Sequence, residues 1–245
     1  MNKIAFCLIC KSPNNIWLDF LNTFTKHDIF IIIDDNDLDI SKLVSEFKNI
    51  KFIQINNNDC IENGYMNSNL FINKNVNGWD KAIYYFSIVN NNYDYIWYME
   101  DANFFYNEDV LNKLNDKYEK VDLITSKIDG ILENFNYKAW PNWHLALDYI
   151  HNIELPYYHN MSSAIRVSKK ILNIISDYVN NNKTLFFIEV LFITLAIKNN
   201  LSIVYPEELN INYANIWDGL DNSNINKSYI YHPIKDIDKH KILRD

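Results

Sequence analysis

Two carboxylate clusters and one isolated acid have the types and spacing to carry chemistry in this chain of 245 residues. Glu100 and Asp101 follow the apolar run Ile96-Trp97-Tyr98-Met99, and Asp34, Asp35 and Asp37 follow the β-branched run Ile29 to Ile33. Carboxylates that close a strand are placed to hold a divalent cation against a diphosphate, where the cation neutralises charge on a leaving nucleotide. A solvated Asp-rich turn at a sheet edge is the competing reading of both. Glu189 differs, because Leu185-Phe186-Phe187-Ile188 precede it and Val190-Leu191-Phe192-Ile193 follow it. An unpaired charge buried in such surroundings costs several kcal/mol unless partners or a raised pKa relieve it. A carboxylate kept there suits a general base for an acceptor hydroxyl. The plainer alternative is a structural partner for Arg166 or for a backbone amide.

Aromatic residues form a further group. Trp140, Trp143 and His144 surround Pro141 and offer flat faces that suit the apolar side of a sugar ring, although aromatics this common are also core material. His159 and Arg166 flank Asn160-Met161-Ser162-Ser163 and would line the same acceptor side. Several chemistries are excluded. Neither G-x-G-x-x-G nor G-x-x-x-x-G-K occurs, and there is no G-x-S-x-G elbow for a serine hydrolase.

These residues need a scaffold that brings strand ends together. Ile4 to Cys10, Ile29 to Ile33, Ile50 to Ile55 and Tyr93 to Met99 read as buried strands. Ile16 to Phe24, Ile40 to Phe47, Trp79 to Val89 and Asn107 to Tyr118 carry helical spacing between them. Apolar strands alternating with helices indicate a parallel α/β sheet covered on both faces. Val121 to Thr125 adds a strand, and Tyr157 to Val167 leads into a helix from Ser168 to Tyr178. A helix capped by Thr184 runs to Lys198, Leu201 to Tyr205 reads as the last strand, and the chain from Pro206 reads as a polar, aromatic-dotted tail. In open α/β sheets ligands bind beyond the carboxyl ends of the strands, where both acidic clusters fall.

The segment Tyr95-Ile96-Trp97-Tyr98-Met99-Glu100-Asp101-Ala102-Asn103-Phe104-Phe105 resembles the metal-binding strand end of GT-A fold glycosyltransferases. The resemblance implies an α/β fold with a GT-A-like, Rossmann-type central mixed sheet flanked by helices. It also implies a nucleotide diphosphate sugar as donor, Mn2+ or Mg2+ as cofactor, and a glycan, lipid or protein hydroxyl as acceptor. Asp34 and Asp35 then contact base or ribose, and Trp79-Asp80-Lys81-Ala82 matches the helix beside them, with Lys81 on the nucleotide. Glu189 resembles the acidic base of inverting members. Tyr231-His232-Pro233-Ile234-Lys235 looks like the segment that closes the donor site, His232 as a metal ligand and Lys235 on the diphosphate, with Arg244 adding charge. One departure stands out: Ala102 occupies the place of the second metal-gripping carboxylate. A one-residue shift would supply Asp101 and Asn103 as the oxygen donors instead. Two other classes fit the same residues. A nucleotidyltransferase calls for a Gly-rich loop and a basic residue after the first strand, and Cys10-Lys11-Ser12-Pro13 supplies only the lysine. A non-catalytic nucleotide-sugar or glycan binder is the reading that Ala102 favours.

Composition narrows the partners. A formal net charge of -8, without a basic stripe, argues against nucleic acid. The chain reads as one domain, with a nucleotide-sugar-binding half at 1–105, an acceptor-side half at 106–205 and a closing segment at 206–245. Cys7, Cys10 and Cys60 are too few for a disulfide framework, and the C-x-x-C pair lies in a strand where its side chains point to opposite faces. A reducing, cytoplasmic location and no spanning segment are the expectation. About one residue in six is Asn, in runs such as Asn56 to Asn58 that read as loop filler between apolar segments. Sequons at Asn160, Asn182 and Asn226 are expected by chance in such a chain.

Overall fold

A computed structural model describes residues 2–69, 75–133, 142–214 and 216–245. The first half alternates as its hydrophobic pattern requires. In order come β1 (Ile4–Cys10), α1 (Asn15–Leu21), β2 (Asp28–Ile33), α2 (Ser41–Glu46), β3 (Ile50–Gln54), α3 (Asn57–Glu62) and α4 (Gly78–Tyr84). A turn of π-helix, Tyr85–Val89, extends α4, and β4 (Tyr95–Glu100), β5 (Phe104–Phe105) and α5 (Glu108–Lys117) follow. α3 lies where an Asn run reads as loop. Asn56 is its N-cap, and its side chain accepts from the Asn58 N–H at 2.9 Å, so the run starts a helix there.

The second half contributes β6 (Leu123–Ile124), β7 (Gly130–Leu132), α6 (His144–Leu147), β8 (Tyr157–His159), β9 (Ala164–Ser168), α7 (Lys169–Asn182) and α8 (Ile188–Lys198). β10 (Ile203–Val204), β11 (Leu209–Ile211), β12 (Ile230–His232) and α9 (Ile237–Arg244) complete the chain. The single strand expected across Tyr157 to Val167 is therefore two, broken at Asn160 to Ser163. α8 begins four residues after Thr184, whose hydroxyl bonds Leu185 O and the Asn67 side chain rather than capping the helix.

The main sheet has the order β10-β6-β9-β4-β1-β2-β3. β1 runs parallel to both β2 and β4, whereas β9 runs antiparallel to β4 and β6, so the sheet is mixed. Side chains alternate between its two faces. Cys7, Ile9, Ile32, Tyr98 and Ile165 join the core beneath α4, α7 and α8, and Cys10, Ile33, Trp97 and Ala164 join the core beneath α1 and α5. Cys7 and Cys10 thus fall on opposite faces, as their spacing in a strand demands, and all three cysteines are free.

The segment from 206 is more ordered than its polarity suggests. β12 pairs in parallel with β11 and antiparallel with β5, and Phe104, Tyr231, Ile234 and Leu243 form a small core of their own. Polar spacing hides this, because β11 and β12 are only three residues long and β5 only two. No helix among the described residues is long and apolar enough to cross a membrane.

Candidate functional site

The chain places β2 and β3 on one side of β1 and returns to place β4 on the other, so the strand order reverses at β1. Such a switch point opens a crevice at the strand carboxyl ends. Cys10 and Lys11 from the end of β1, Asp34 from β2, Gly78 and Trp79 from α4, and Glu100 and Asp101 from β4 line it. It continues into a second hollow lined by Lys11, Asp34, Asp35, Asn36, Asp37 and Asn57. Lys11 and Asp34 belong to both.

The walls are held by specific contacts. The Asp34 turn is braced from below by Lys81, which is fully buried. Its ammonium lies 3.1 Å from Asp34 Oδ1 and donates to Asp34 O at 2.6 Å and Asn36 Oδ1 at 2.9 Å. The structure therefore spends Lys81 on shaping the turn, while Lys11, which sequence reasoning credited only as a lone basic residue, stands exposed on the crevice wall. Asp35 Oδ1 accepts from the Asp37 N–H at 3.0 Å and fixes the same turn.

α4 approaches β1 so closely that a side chain at its first residue would collide. A Cβ on Gly78 would stand 2.7 Å from Ile9 Cγ2. The helix start is clamped by a reciprocal cap: Asn77 Oδ1 accepts from Trp79 N, and Asp80 Oδ2 accepts from Asn77 N at 2.8 Å. Asp80 Oδ1 also takes the Ser68 N–H at 2.9 Å, and burial pushes this carboxyl up to about 7.

Trp79 Nε1–H donates to Glu100 Oε1 at 2.7 Å. Burial raises Glu100 to about 7, the Trp79 bond opposes that rise, and the charges of Glu189 and Asp101 add to it. Burial also raises Asp101, against hydrogen bonds from its own and the Ala102 backbone. Asn103 is fully buried and committed: its amide donates to Glu100 O and Ser163 O, both at 2.9 Å, and its Oδ1 accepts from Ser163 Oγ at 3.2 Å.

The 231–235 segment does return to this turn. Ile234 N–H donates to Ala102 O at 2.7 Å, and β12 pairs with β5 just beyond Asn103. His232 is buried and its Nδ1–H donates to Asn212 O at 3.0 Å, with burial lowering its pKa to about 4. Lys235 is exposed, and Arg244 packs its guanidinium 3.5 Å from the Phe20 ring centre. Of the expected metal donors, then, Asn103 and His232 are engaged by the protein, while Glu100 and Asp101 line the crevice. No group of three His, Cys, Asp or Glu among the described residues is arranged to hold a metal.

The acceptor-side residues separate. Glu189 lies in the first turn of α8, whose residues Ile188 to Ala196 are all buried. Ile188 N–H donates to Ser68 O and Leu185 N–H to Met66 O, tying the start of the helix to the segment that precedes α4. Glu189 Oε2 accepts from His159 Nε2 at 2.9 Å, and His159 Nδ1 bonds Asp129 Oδ1. Arg166 is not its partner. Alternation along β9 puts Arg166 on the opposite face from Ile165 and Val167, where it donates to Asn115 Oδ1, Tyr118 O and Val121 O. Trp143 is buried, edge-on to the His159 ring at 6.0 Å, and His144 is exposed on α6. Trp140 lies outside the described residues.

Asp129 and Tyr213, which sequence reasoning did not single out, complete this side. Tyr213 stacks on the His159 ring at 6.1 Å and 14°, and Asp129 and Tyr213 border a cavity of about 450 Å³. Asp129-Gly130 has the look of a turn, and only the fold brings its carboxylate to His159.

No protein-family model matches the chain, and neither does any curated protein. Several solved structures are similar to it. One is the 4-diphosphocytidyl-2C-methyl-D-erythritol synthase of Anaerococcus prevotii, at 14% identity and a TM-score of 0.48, over 84% of this chain and 88% of that one. Another is the bifunctional IspDF of Campylobacter jejuni, at 12% identity and a TM-score of 0.41, over 84% of this chain but only 50% of that one. A third is mouse xyloside xylosyltransferase 1, at 10% identity and a TM-score of 0.44, over 94% and 97%. Scores this low leave the reaction to the geometry of the site itself.

Proposed function

We propose that the chain is a nucleotide-dependent transferase that holds a nucleoside diphosphate sugar in the β1–β4 crevice and passes its sugar to an acceptor hydroxyl. One observation carries this reading: Glu189, a base held by an imidazole, stands within electrostatic reach of Glu100 on the crevice wall. The turn at Asp34 to Asn36 meets base or ribose, braced by Lys81. Lys11 lies beside the diphosphate and stabilises the charge that builds there as the sugar leaves. The acceptor oxygen bonds the sugar carbon while the carbon–oxygen bond to the diphosphate breaks, its electron pair leaving on phosphate. The acceptor's proton goes to Glu189. The described residues do not make a protein-built cage for Mn2+ or Mg2+. A cation carried in on the diphosphate and met by Asp101 is the form of metal assistance that these residues suit.

A second reading is nucleotidyl transfer, in which a phosphate oxygen attacks the α-phosphorus of a nucleoside triphosphate and pyrophosphate departs. The position of Lys11, directly after β1 and on both hollows, favours it, since that is where a triphosphate needs a cation. Calorimetric titration with UDP, GDP and CDP, with and without Mn2+, tests the common ground. No heat with any of the three sinks both readings. Incubation with nucleotide sugars, and with triphosphates plus sugar phosphates, then separates them: free nucleoside diphosphate marks the first and pyrophosphate the second. Binding without either product marks a non-catalytic binder.

A further inference from the structure

Asp129, His159 and Glu189 come from three separate elements and make one continuous chain of charge. Asp129 stands just before β7, His159 closes β8 and Glu189 opens α8. Their backbones are locked as well: Asp129 N–H donates to His159 O, and Asn160 N–H donates to Glu189 O at 2.9 Å. Exposure is least at its centre: the Asp129 side chain is 40% exposed, the imidazole 1% and Glu189 12%.

The protonation state follows from the donors and acceptors. A neutral imidazole has one N–H and one lone pair, so between two carboxylates it would turn a lone pair toward one of them. Both ring nitrogens here face carboxylate oxygens, and with both carboxylates ionised each nitrogen must donate, which makes the ring an imidazolium. Burial works against that charge, but the hydrogen bonds to Asp129 and Glu189 outweigh it and raise His159 above its usual value. Tyr213 also faces the ring, and burial keeps its phenol protonated. Burial raises Glu189, the bond and charge of His159 pull it back, and Asp129 raises it slightly.

We infer that His159 is a positioning residue, kept as an imidazolium by Asp129, which fixes one oxygen of Glu189 and leaves the other ionised and open to the acceptor hydroxyl. This inference rests on the reading of Glu189 as the base. In the transfer step the acceptor proton moves to the open oxygen of Glu189, and the imidazolium keeps both of its protons throughout. Without the imidazolium, buried Glu189 holds its proton to higher pH and fewer molecules are competent near neutrality. Asp129 does not touch the acceptor in this step. Its part is to hold the charge on His159.

The test is NMR titration of the His159 ring nitrogens and the Glu189 carboxyl carbon, in the whole chain and in two variants. In the wild type, the ring is expected to stay doubly protonated beyond the ordinary imidazole range. In Asp129→Asn, an exposed and conservative change, its midpoint should fall by about one pH unit or more. In His159→Gln, which keeps an N–H for Glu189 but no charge, the Glu189 midpoint should rise by about the same amount. A His159 midpoint at or below the ordinary value, or one that Asp129→Asn leaves unmoved, overturns the inference without any need for His159→Gln to fold. Release of UDP from UDP-glucose, or of GDP from GDP-mannose, gives the functional arm: the acidic limb of kcat/KM should move up in His159→Gln. An unmoved limb overturns the positioning role. The NMR shifts without turnover of either donor would instead count against the transferase reading and leave the His159 charge standing.

Discussion

At the scale of single residues, Glu189 is where function and architecture can be told apart. Glu189→Gln keeps the side chain's shape and can still accept from His159, but it can no longer take a proton. Transfer is expected to fall by roughly 10²-fold or more, with nucleotide affinity within about twofold, because the crevice residues are untouched. The melting temperature should change little. Asp129 still neutralises the imidazolium and the amide oxygen keeps the bond, so only part of a charge-assisted hydrogen bond worth about 1.5–3 kcal/mol is lost. A variant that transfers at the wild-type rate removes Glu189 from the reaction. The position of Glu189 was legible in the sequence because an acid amid eight apolar neighbours breaks a pattern. Its partner was not. Nothing in the spacing separates Arg166 from His159; in the fold, alternation along β9 turns Arg166 toward Asn115, while His159, at the end of β8, meets Glu189.

Among the elements, the strands of the first half were readable nearly to the residue, since continuous β-branched runs admit few other placements. In the second half β6 and β10 fall within their expected runs, but β7, β11 and β12 were not readable, because three residues carry no period. The clamp on α4 lies between these cases: Asn77-Gly78-Trp79-Asp80 spells out a cap, but the reason for glycine appears only when Ile9 is seen against it. Gly78→Ala should force α4 away from β1, with a loss of about 1–3 kcal/mol and a weaker nucleotide response in the same titrations. Ile9→Ala added to it should recover part of that binding, since it clears the contact. If Gly78→Ala melts and binds like the wild type, the helix is not seated as tightly as 2.7 Å implies. The C-terminal elements give a further expectation. A chain ending at Tyr205 would lose β12 from β5 and uncover Phe104, so its melting temperature should drop and amide exchange at 100 to 105 should quicken. Unchanged protection there would show that the acidic turn stands without its cover.

Across the whole molecule, groups shifted in opposite directions shape the dependence of stability on pH. Asp80 and Glu100 are held up to about 7, so the stability they give is full below their unfolded values and is lost as pH rises through 7. His232 and His240 are held down to about 4 by burial, so their contribution is lost as pH falls from the ordinary imidazole range through 4. Between about pH 4 and 6.5 the two pairs oppose one another and the wild type should show little slope from them. Asp80→Asn removes one side of the balance. Measured by denaturant unfolding across that window, the variant should gain on the wild type by about 1.4 kcal/mol per pH unit, whatever constant penalty its altered cap carries. A difference that stays level with pH would mean that Asp80 is ionised throughout.

Glu100 has one more consequence, and it belongs to thermochemistry. A carboxyl poised at about 7 is half protonated near neutrality, and an anion brought beside it raises its affinity for protons further. Nucleotide binding in the crevice should therefore draw a fraction of a proton out of the buffer, and the buffer's heat of ionisation will enter every calorimetric trace. Titrations in phosphate and in Tris at the same pH should disagree in enthalpy while agreeing in affinity. Glu100→Gln should bring the two buffers together. By reciprocity the affinity itself must weaken as pH rises through 7, since whatever takes up protons on binding is bound less well where protons are scarce.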